Sequence, residues 1–220
     1  MATPAGTSSS RFSALSGWGL TLRIFAALVV GSLALFAVFG VGEAGVRVWI
    51  RATARASVTL FLLAFTARPL GQFLRNDATR WLLANRRYLG ASAALAHFLH
   101  GIALVWLYQA FPGVEQPDLT TLIGGGLGFA LYFAMGLSSN DASVAALGKR
   151  GWKLLHTTSA YWVWFVFTLT NWGNVPLAFE KLGIAHQLLY SGMELALVAA
   201  LGLRIAARFA QRKRAPSAGP

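Results

Sequence analysis

The stretch RRYLGASAALAHFLHGIALVWLYQA, from Arg86 to Ala110, decides the fold of this chain. Two arginines open it, and the residues that follow are almost all apolar or small. A run of about 20 such residues is long enough to cross a lipid bilayer as one helix. His97 and His100 lie inside this run, where an ionisable side chain is costly and therefore suggests a functional role.

The composition extends this interpretation to the whole chain. Of its 220 residues, 56% are hydrophobic and only 12% are charged, whereas roughly 25% of a typical soluble domain is charged. We therefore expect an integral protein of the lipid membrane. The net charge of +12 does not indicate nucleic acid as a partner, because the basic residues lie between apolar segments and not on one face. The absence of cysteine excludes disulfides, cysteine-ligated iron–sulfur clusters and covalently attached haem.

The hydrophobic pattern predicts an all-α fold, a polytopic membrane bundle of six transmembrane helices within residues 15–208. The predicted spans are 18–41, 52–70, 88–110, 119–138, 152–172 and 184–207. Residues 1–14 are expected to form a disordered cytoplasmic N-terminus, and residues 209–220 a basic cytoplasmic tail. The connections are short and carry no glycine fingerprint, so a flavin or nicotinamide module is not expected.

The distribution of Lys and Arg predicts the orientation. Basic residues cluster after the second span, after the fourth span and in the tail. The charged residues in the connection after the third span are both acidic, Glu115 and Asp118. Since cytoplasmic loops are enriched in Lys and Arg, both termini are predicted to be cytoplasmic. Arg47, Arg51 and Arg55 are the exception, because they follow the first span, on the side that this orientation places outside.

Histidines within the spans predict a cofactor site. His97 and His100 share a helical stripe with small residues such as Ala93, and His156 on the fifth span has Ser159 on its stripe. Imidazoles from facing helices hold haem iron in bundles, and small neighbours leave room for a porphyrin. The structural alternative stays open, because small residues also let membrane helices approach closely and a buried histidine often only bonds a neighbour.

Three further polar residues stand out. Glu194, the only acid deep in a span, is expected to pair with an arginine such as Arg23 or to relay a proton, with pairing favoured. His186 is expected near the outer interface. Arg86 is expected to anchor the inner edge of the third span and to contact a haem propionate or a lipid headgroup.

Short motifs follow one another in a characteristic order between residues 51 and 172. They are TARPL at 66–70, RRYLG at 86–90 with LH at 99–100, GLSSN at 136–140, and LGKRGWKLLH at 147–156 followed by Tyr161. Their order and spacing resemble the ferric reductase-like transmembrane family, and within it the haem-binding membrane subunits of periplasmic methionine sulfoxide reductase systems. The resemblance implies a six-helix bundle that carries haem b, with His100 and His156 as iron ligands. It also implies electron transfer from quinol or a separate reductase to an external redox partner.

The sequence departs from the family pattern at two points. Leu169 and Thr170 stand where the family usually has a second histidine on the fifth span, and Arg86 stands where two-haem relatives have another. At about 1.5 Å per residue, His100 lies roughly 20 Å beyond Arg87, but His156 lies only about 5 Å beyond Lys153.

Several arrangements therefore remain open. His97 reduces this mismatch in depth to about 10 Å and is the substitute ligand. His97 with His156 would form an inner pair, and His100 with His186 an outer pair. The remaining alternative is a haemless relative that acts as a membrane assembly or interaction subunit.

Overall fold

The computed structural model describes residues 15–214, apart from the side chains of 177–181 and 214. This part of the chain forms seven helices and no strand, so the predicted all-α class is confirmed. The helices are α1 (Gly17–Phe39), α2 (Glu43–Phe73), α3 (Asp77–Ala84), α4 (Arg86–Ala110), α5 (Leu119–Leu137), α6 (Asp141–Leu182) and α7 (Ile184–Arg214). The predicted disorder of residues 1–14, and residues 215–220 of the predicted tail, lie outside the described residues.

Five helices in the described part of the chain are long and apolar enough to cross a membrane, namely α1, α2, α4, α5 and α7. The predicted count of six is not confirmed, because α6, which contains the predicted span 152–172, is not one of these five. That segment carries four tryptophans together with histidine, threonine and asparagine. These side chains are less apolar than the Leu, Val and Ala that dominate the other spans.

Helix α2 begins earlier than predicted. It has 31 residues and is therefore about 46 Å long, which exceeds a hydrocarbon core of about 30 Å. Arg47, Arg51 and Arg55 lie on its early turns and not in a connection. Arg47 Nε donates to Glu43 Oε1 at 2.7 Å, one turn back on the same helix.

The chain divides into two compact units. Unit 1 consists of the described residues up to Ala64 together with Arg80–Gln116, and unit 2 of Phe65–Thr79 together with the described residues from Pro117 onward. Unit 1 thus holds α1, most of α2 and α4. Unit 2 holds the last turns of α2 together with α5, α6 and α7.

Unit 1 is held together by polar contacts between helices and by small residues. The Gly17 amide donates to Asn85 Oδ1 at 3.1 Å, and Trp49 Nε1 donates to Ser32 Oγ at 2.7 Å. The face of α4 that carries Ala93 and Ala96 is completely buried. Short side chains there let the helix backbones approach closely, as is common in membrane bundles.

The turn between α1 and α2 depends on two glycines. Gly40 ends α1 with φ 72°, a left-handed backbone conformation that residues other than glycine rarely adopt. Gly45 faces it so closely that a Cβ at this position would lie 1.9 Å from the Gly40 carbonyl oxygen. Only glycine at position 45 allows α2 to begin this close to the end of α1.

In unit 2, α6 packs against both α5 and α7. Tyr132 of α5 meets Phe167 of α6 edge to face at 5.9 Å between ring centroids. Trp164 Nε1 of α6 donates to the Leu197 carbonyl of α7 at 2.9 Å. Helix α6 bends at Gly148, whose φ of 68° and ψ of 157° are not helical.

A proline interrupts the hydrogen bonds of α2 within unit 2. Pro69 lies inside the helix and has no N–H to offer the carbonyl of Phe65, four residues earlier. Arg204 of α7 supplies the missing donor, because its Nη1 lies 2.9 Å from Phe65 O. The last turns of α2 are thereby fixed to α7.

Candidate functional site

Two histidines of α4 lie side by side in unit 1. The ring centroids of His97 and His100 are 5.4 Å apart and the rings are inclined by 33°. His97 is buried, and His100 is half-buried. Their spacing of three residues places them on one face of the helix, as the sequence predicted.

The hydrogen bond of His100 fixes its tautomer. Its Nδ1 lies 3.1 Å from the carbonyl oxygen of Ile50 on α2. A carbonyl can only accept, so Nδ1 carries the proton and the lone pair of the neutral ring is on Nε2. Histidines that ligate metals typically donate their other ring N–H to a carbonyl or carboxylate in this way.

His97 makes a longer contact with a hydroxyl of α2. Its Nδ1 lies 3.4 Å from Ser57 Oγ, and Ser57 Oγ lies 3.2 Å from the Ala93 carbonyl. The tautomer of His97 decides whether Nδ1 or the Ser57 hydroxyl donates in the bond between them. At 3.4 Å this bond is weaker than the His100–Ile50 bond.

Arg86 is not adjacent to these histidines along α4. It precedes His100 by fourteen residues, which corresponds to about 21 Å of helix. Its Nε donates to the Ala64 carbonyl of α2 at 3.1 Å. Contact between Arg86 and a haem propionate stays a prediction, as does contact with a lipid headgroup.

His156 belongs to unit 2 and has a different environment. Its Nε2 lies 2.9 Å from Ser138 Oγ, and Trp152 stacks on its ring at 4.0 Å between centroids. The Trp152 Nε1 in turn donates to the Ser138 carbonyl at 2.8 Å. The spacing of Trp152 and His156 on one helix face could have revealed their contact. Ser138 belongs to the GLSSN motif at 136–140, but nothing in that motif indicated its bond to His156.

The chemistry of these donors can be compared with the needs of a haem. A porphyrin occupies four positions around its iron, so the protein supplies one or two axial ligands, commonly histidine. His100 fits this role through Nε2. His156 fits only if an iron takes the place of Ser138 at Nε2. Ser159, one turn after His156, is fully buried with a hydroxyl that bonds no other described residue, which leaves one polar atom for an additional group there.

Protein ligands alone do not form a metal centre in the described part of the chain. No group of three or more histidine, cysteine, aspartate or glutamate side chains converges there. The candidate site is therefore a set of single imidazoles, each held by a defined hydrogen bond within its own unit.

Glu194 has an amide neighbour in unit 2. Asn171 Nδ2 donates to Glu194 Oε2 at 3.2 Å and to the Tyr190 carbonyl at 2.7 Å. Among the described residues of this unit, no basic side chain forms an ion pair with Glu194. The expected pairing with Arg23 is not tested within the unit, since Arg23 belongs to unit 1.

The sequence interpretation did not identify the cluster around Arg204. Arg204 Nε lies 3.3 Å from the hydroxyl of Tyr161, and its guanidinium carbon lies 4.0 Å from the ring centroid of Phe65. Pro69 within an apolar run was a signal for an unpaired carbonyl in α2. Nothing in the sequence indicated that an arginine 139 residues after Phe65 would bond this carbonyl.

No protein-family model, curated protein or solved structure matches this chain.

Proposed function

We propose that this chain is a membrane electron-transfer protein that holds haem b, in a bacterial inner membrane with both termini cytoplasmic. It would receive electrons from quinol or a separate reductase and pass them to an external redox partner. Five helices that are compatible with a lipid bilayer and the order of the sequence motifs support this proposal. The observation that carries it is the hydrogen bond from His100 Nδ1 to the Ile50 carbonyl.

That bond matters because a histidine ligand has to present one particular nitrogen in a fixed direction. The Ile50 carbonyl keeps the proton on Nδ1 and the lone pair on Nε2. Rotation of the ring would break this hydrogen bond in an apolar surrounding, where the loss of a hydrogen bond to the ring is costly. His100 is therefore preorganised as a ligand, and His97, held by Ser57, is the substitute on the same face.

Bound haem would supply one-electron chemistry, and the chain would supply axial ligation, orientation and a medium of low dielectric constant. His100 is the α4 ligand in this proposal. His156 is the ligand expected from the sequence on α6, where it would exchange its bond with Ser138 for one to iron. Arg86 remains the proposed contact of a propionate.

One observation favours a second candidate function. His156 Nε2 is bonded to Ser138, and its ring is stacked on Trp152, an arrangement that fixes the junction between α5 and α6 without any cofactor. A haemless subunit for membrane assembly or interaction would use His156 in this structural way.

The test is an absorption spectrum of the full chain, purified in detergent from cells with sufficient haem. We expect sharp α and Soret bands after reduction with dithionite. His100→Ala should abolish or strongly weaken them. His186→Ala, in the first turn of α7, should leave them unchanged because the proposal gives the second ligand as His156; weakened bands in His186→Ala would instead indicate the outer pair of His100 and His186. Ser57→Ala should shift the reduction potential if His97 is an axial ligand and leave it unchanged otherwise.

Folding has to be separated from haem loss in this experiment. Each variant is therefore compared with the wild type by circular dichroism and size-exclusion chromatography. A colourless, monodisperse wild-type protein would refute the haem proposal and favour the haemless subunit. Unchanged spectra in both His100→Ala and His156→Ala would refute the ligand assignment.

A further inference from the structure

Two arginines of α7 lie against the same tyrosine of α6 in unit 2. The guanidinium carbons of Arg204 and Arg208 lie 5.1 Å and 5.3 Å from the ring centroid of Tyr161. One helical turn separates the two arginines, so both project from the same face of α7. This arrangement concentrates two positive charges at one place.

Arg204 is fixed before any ligand arrives. Its Nη1 donates to the Phe65 carbonyl at 2.9 Å, and its Nε donates to the Tyr161 hydroxyl at 3.3 Å. The Tyr161 oxygen accepts there, so its own proton is available for donation to another acceptor. Arg208 is exposed, and its guanidinium forms no hydrogen bond or ion pair with another residue in the described ranges.

No acidic side chain in the described part of unit 2 compensates these charges by an ion pair. The ion pair between Arg47 and Glu43 lies in unit 1. Like charges one turn apart on a helix repel each other. Two guanidiniums and a phenolic hydroxyl that converge without an acid provide the donors that a phosphate group prefers.

The position along α7 fits a ligand at the membrane surface. From residue 184 to residue 203 the helix contains no Lys or Arg, and Arg204 follows about 30 Å after Ile184, which equals the thickness of the hydrocarbon core. Basic residues at such a boundary attract anionic headgroups.

We propose that Arg204, Arg208 and Tyr161 form a binding site for a phosphate group. Its source is either the phosphodiester of an anionic phospholipid or a soluble phosphate. Arg204 and Tyr161 provide the fixed part of the site, and Arg208 closes on the ligand from the exposed side. This site does not depend on haem and goes beyond electron transfer.

The experiment compares Arg208→Gln with Arg212→Gln in the full chain. Both variants remove one positive charge from the same helix, but the structure records no contact of Arg212 with Tyr161. Native mass spectrometry measures the retention of phosphatidylglycerol on the detergent-purified proteins, and inorganic phosphate is added as a competitor. We expect Arg208→Gln to weaken phosphatidylglycerol binding about tenfold more than Arg212→Gln, since a charge-assisted hydrogen bond is lost only there.

Each result decides the proposal. A lipid headgroup is the ligand if Arg208→Gln alone loses bound phosphatidylglycerol and if inorganic phosphate does not displace phosphatidylglycerol from the wild type. Displacement of phosphatidylglycerol by inorganic phosphate supports a site for soluble phosphate. Equal weakening in both variants would mean only diffuse attraction to the basic helix end, and that outcome, like no weakening in either, overturns the proposed site. Tyr161→Phe keeps the ring and should weaken binding without changing the fold.

Discussion

The carbonyl of Phe65 connects Pro69 to Arg204, and this connection predicts a non-additive effect of two substitutions. In the wild type, Arg204 Nη1 replaces the N–H that Pro69 lacks. Pro69→Ala restores an N–H at position 69, so the carbonyl then has a partner within its own helix. Arg204→Met should therefore be costly in the wild type and much cheaper in the Pro69→Ala background.

The magnitude follows from the contacts that Arg204→Met removes. The hydrogen bond to the Phe65 carbonyl is worth about 1.5–3 kcal/mol for a charged donor, although bonds between membrane helices average nearer about 0.6 kcal/mol. The cation–π contact with Phe65, at 4.0 Å, contributes about 0.5–2 kcal/mol. We expect Arg204→Met to lower the free energy of unfolding by about 2–4 kcal/mol. The coupling energy with Pro69→Ala should be about 1–2 kcal/mol.

Reversible unfolding of the four proteins in mixed micelles, by titration with a denaturing detergent, measures this coupling. Arg212→Met in both backgrounds is the control, because the structure gives Arg212 no contact with Phe65 or Pro69, and its effect should be additive. Additivity of Arg204→Met and Pro69→Ala to within about 0.5 kcal/mol would refute the claim that Arg204 replaces the missing N–H.

Three further predictions concern single positions. Gly45→Ala places a methyl group 1.9 Å from the Gly40 carbonyl and should lower the free energy of unfolding by about 1–3 kcal/mol, whereas Gly42→Ala, with open space around it, should change it little. The backbone N–H of Thr121 at the start of α5 holds the pKa of Asp118 below its ordinary value of 3.8. The bond from the Thr121 N–H to the Asp118 carboxylate therefore stabilises the fold fully above pH 3.8, and this stabilisation is lost as the pH falls through the lowered pKa. Asp118→Asn keeps the cap without titrating and should remove this pH dependence from unfolding curves recorded at several pH values. The same loss of stability at acid pH in Asp118→Asn would contradict the prediction. Asn171→Leu removes the amide beside buried Glu194 and should lower the free energy of unfolding by about 1–3 kcal/mol. Glu194→Gln should lower it less in the same unfolding assay. Equal losses of stability in the two variants would contradict this prediction.

The sequence was most informative where periodicity and composition act locally. The apolar run that contains His97 and His100 became α4 with the same end at Ala110, because helix formation and length depend on neighbouring residues. Helix α2 was less predictable. Its early arginines suggested a connection, but one long helix can extend beyond the hydrocarbon core and still include charged turns.

Partners far apart in sequence were the part that could not be predicted. The pattern singled out His100 and His156, but it could not say that Ile50 bonds the first and Ser138 the second. Such pairs depend on the register between helices, and a shift of one residue rotates a helix face by about 100°. Arg204 lies near the end of the predicted span 184–207, but its bond to Phe65 follows from that register and could not be read from the sequence.

Ser138 makes two hydrogen bonds with α6: its carbonyl accepts from Trp152 Nε1, and its hydroxyl is bonded to His156 Nε2. The segment 139–151, which includes the bend at Gly148, is therefore held at both ends by hydrogen bonds to one residue, Ser138. A segment that is held at one point opens as a cooperative unit, so its amide protons should exchange with solvent together and not one by one. A ligand that draws His156 away from Ser138 would break one of these two hydrogen bonds and leave only the bond to Trp152. Faster amide exchange between residues 139 and 151 would then report binding at a distance from the ligand.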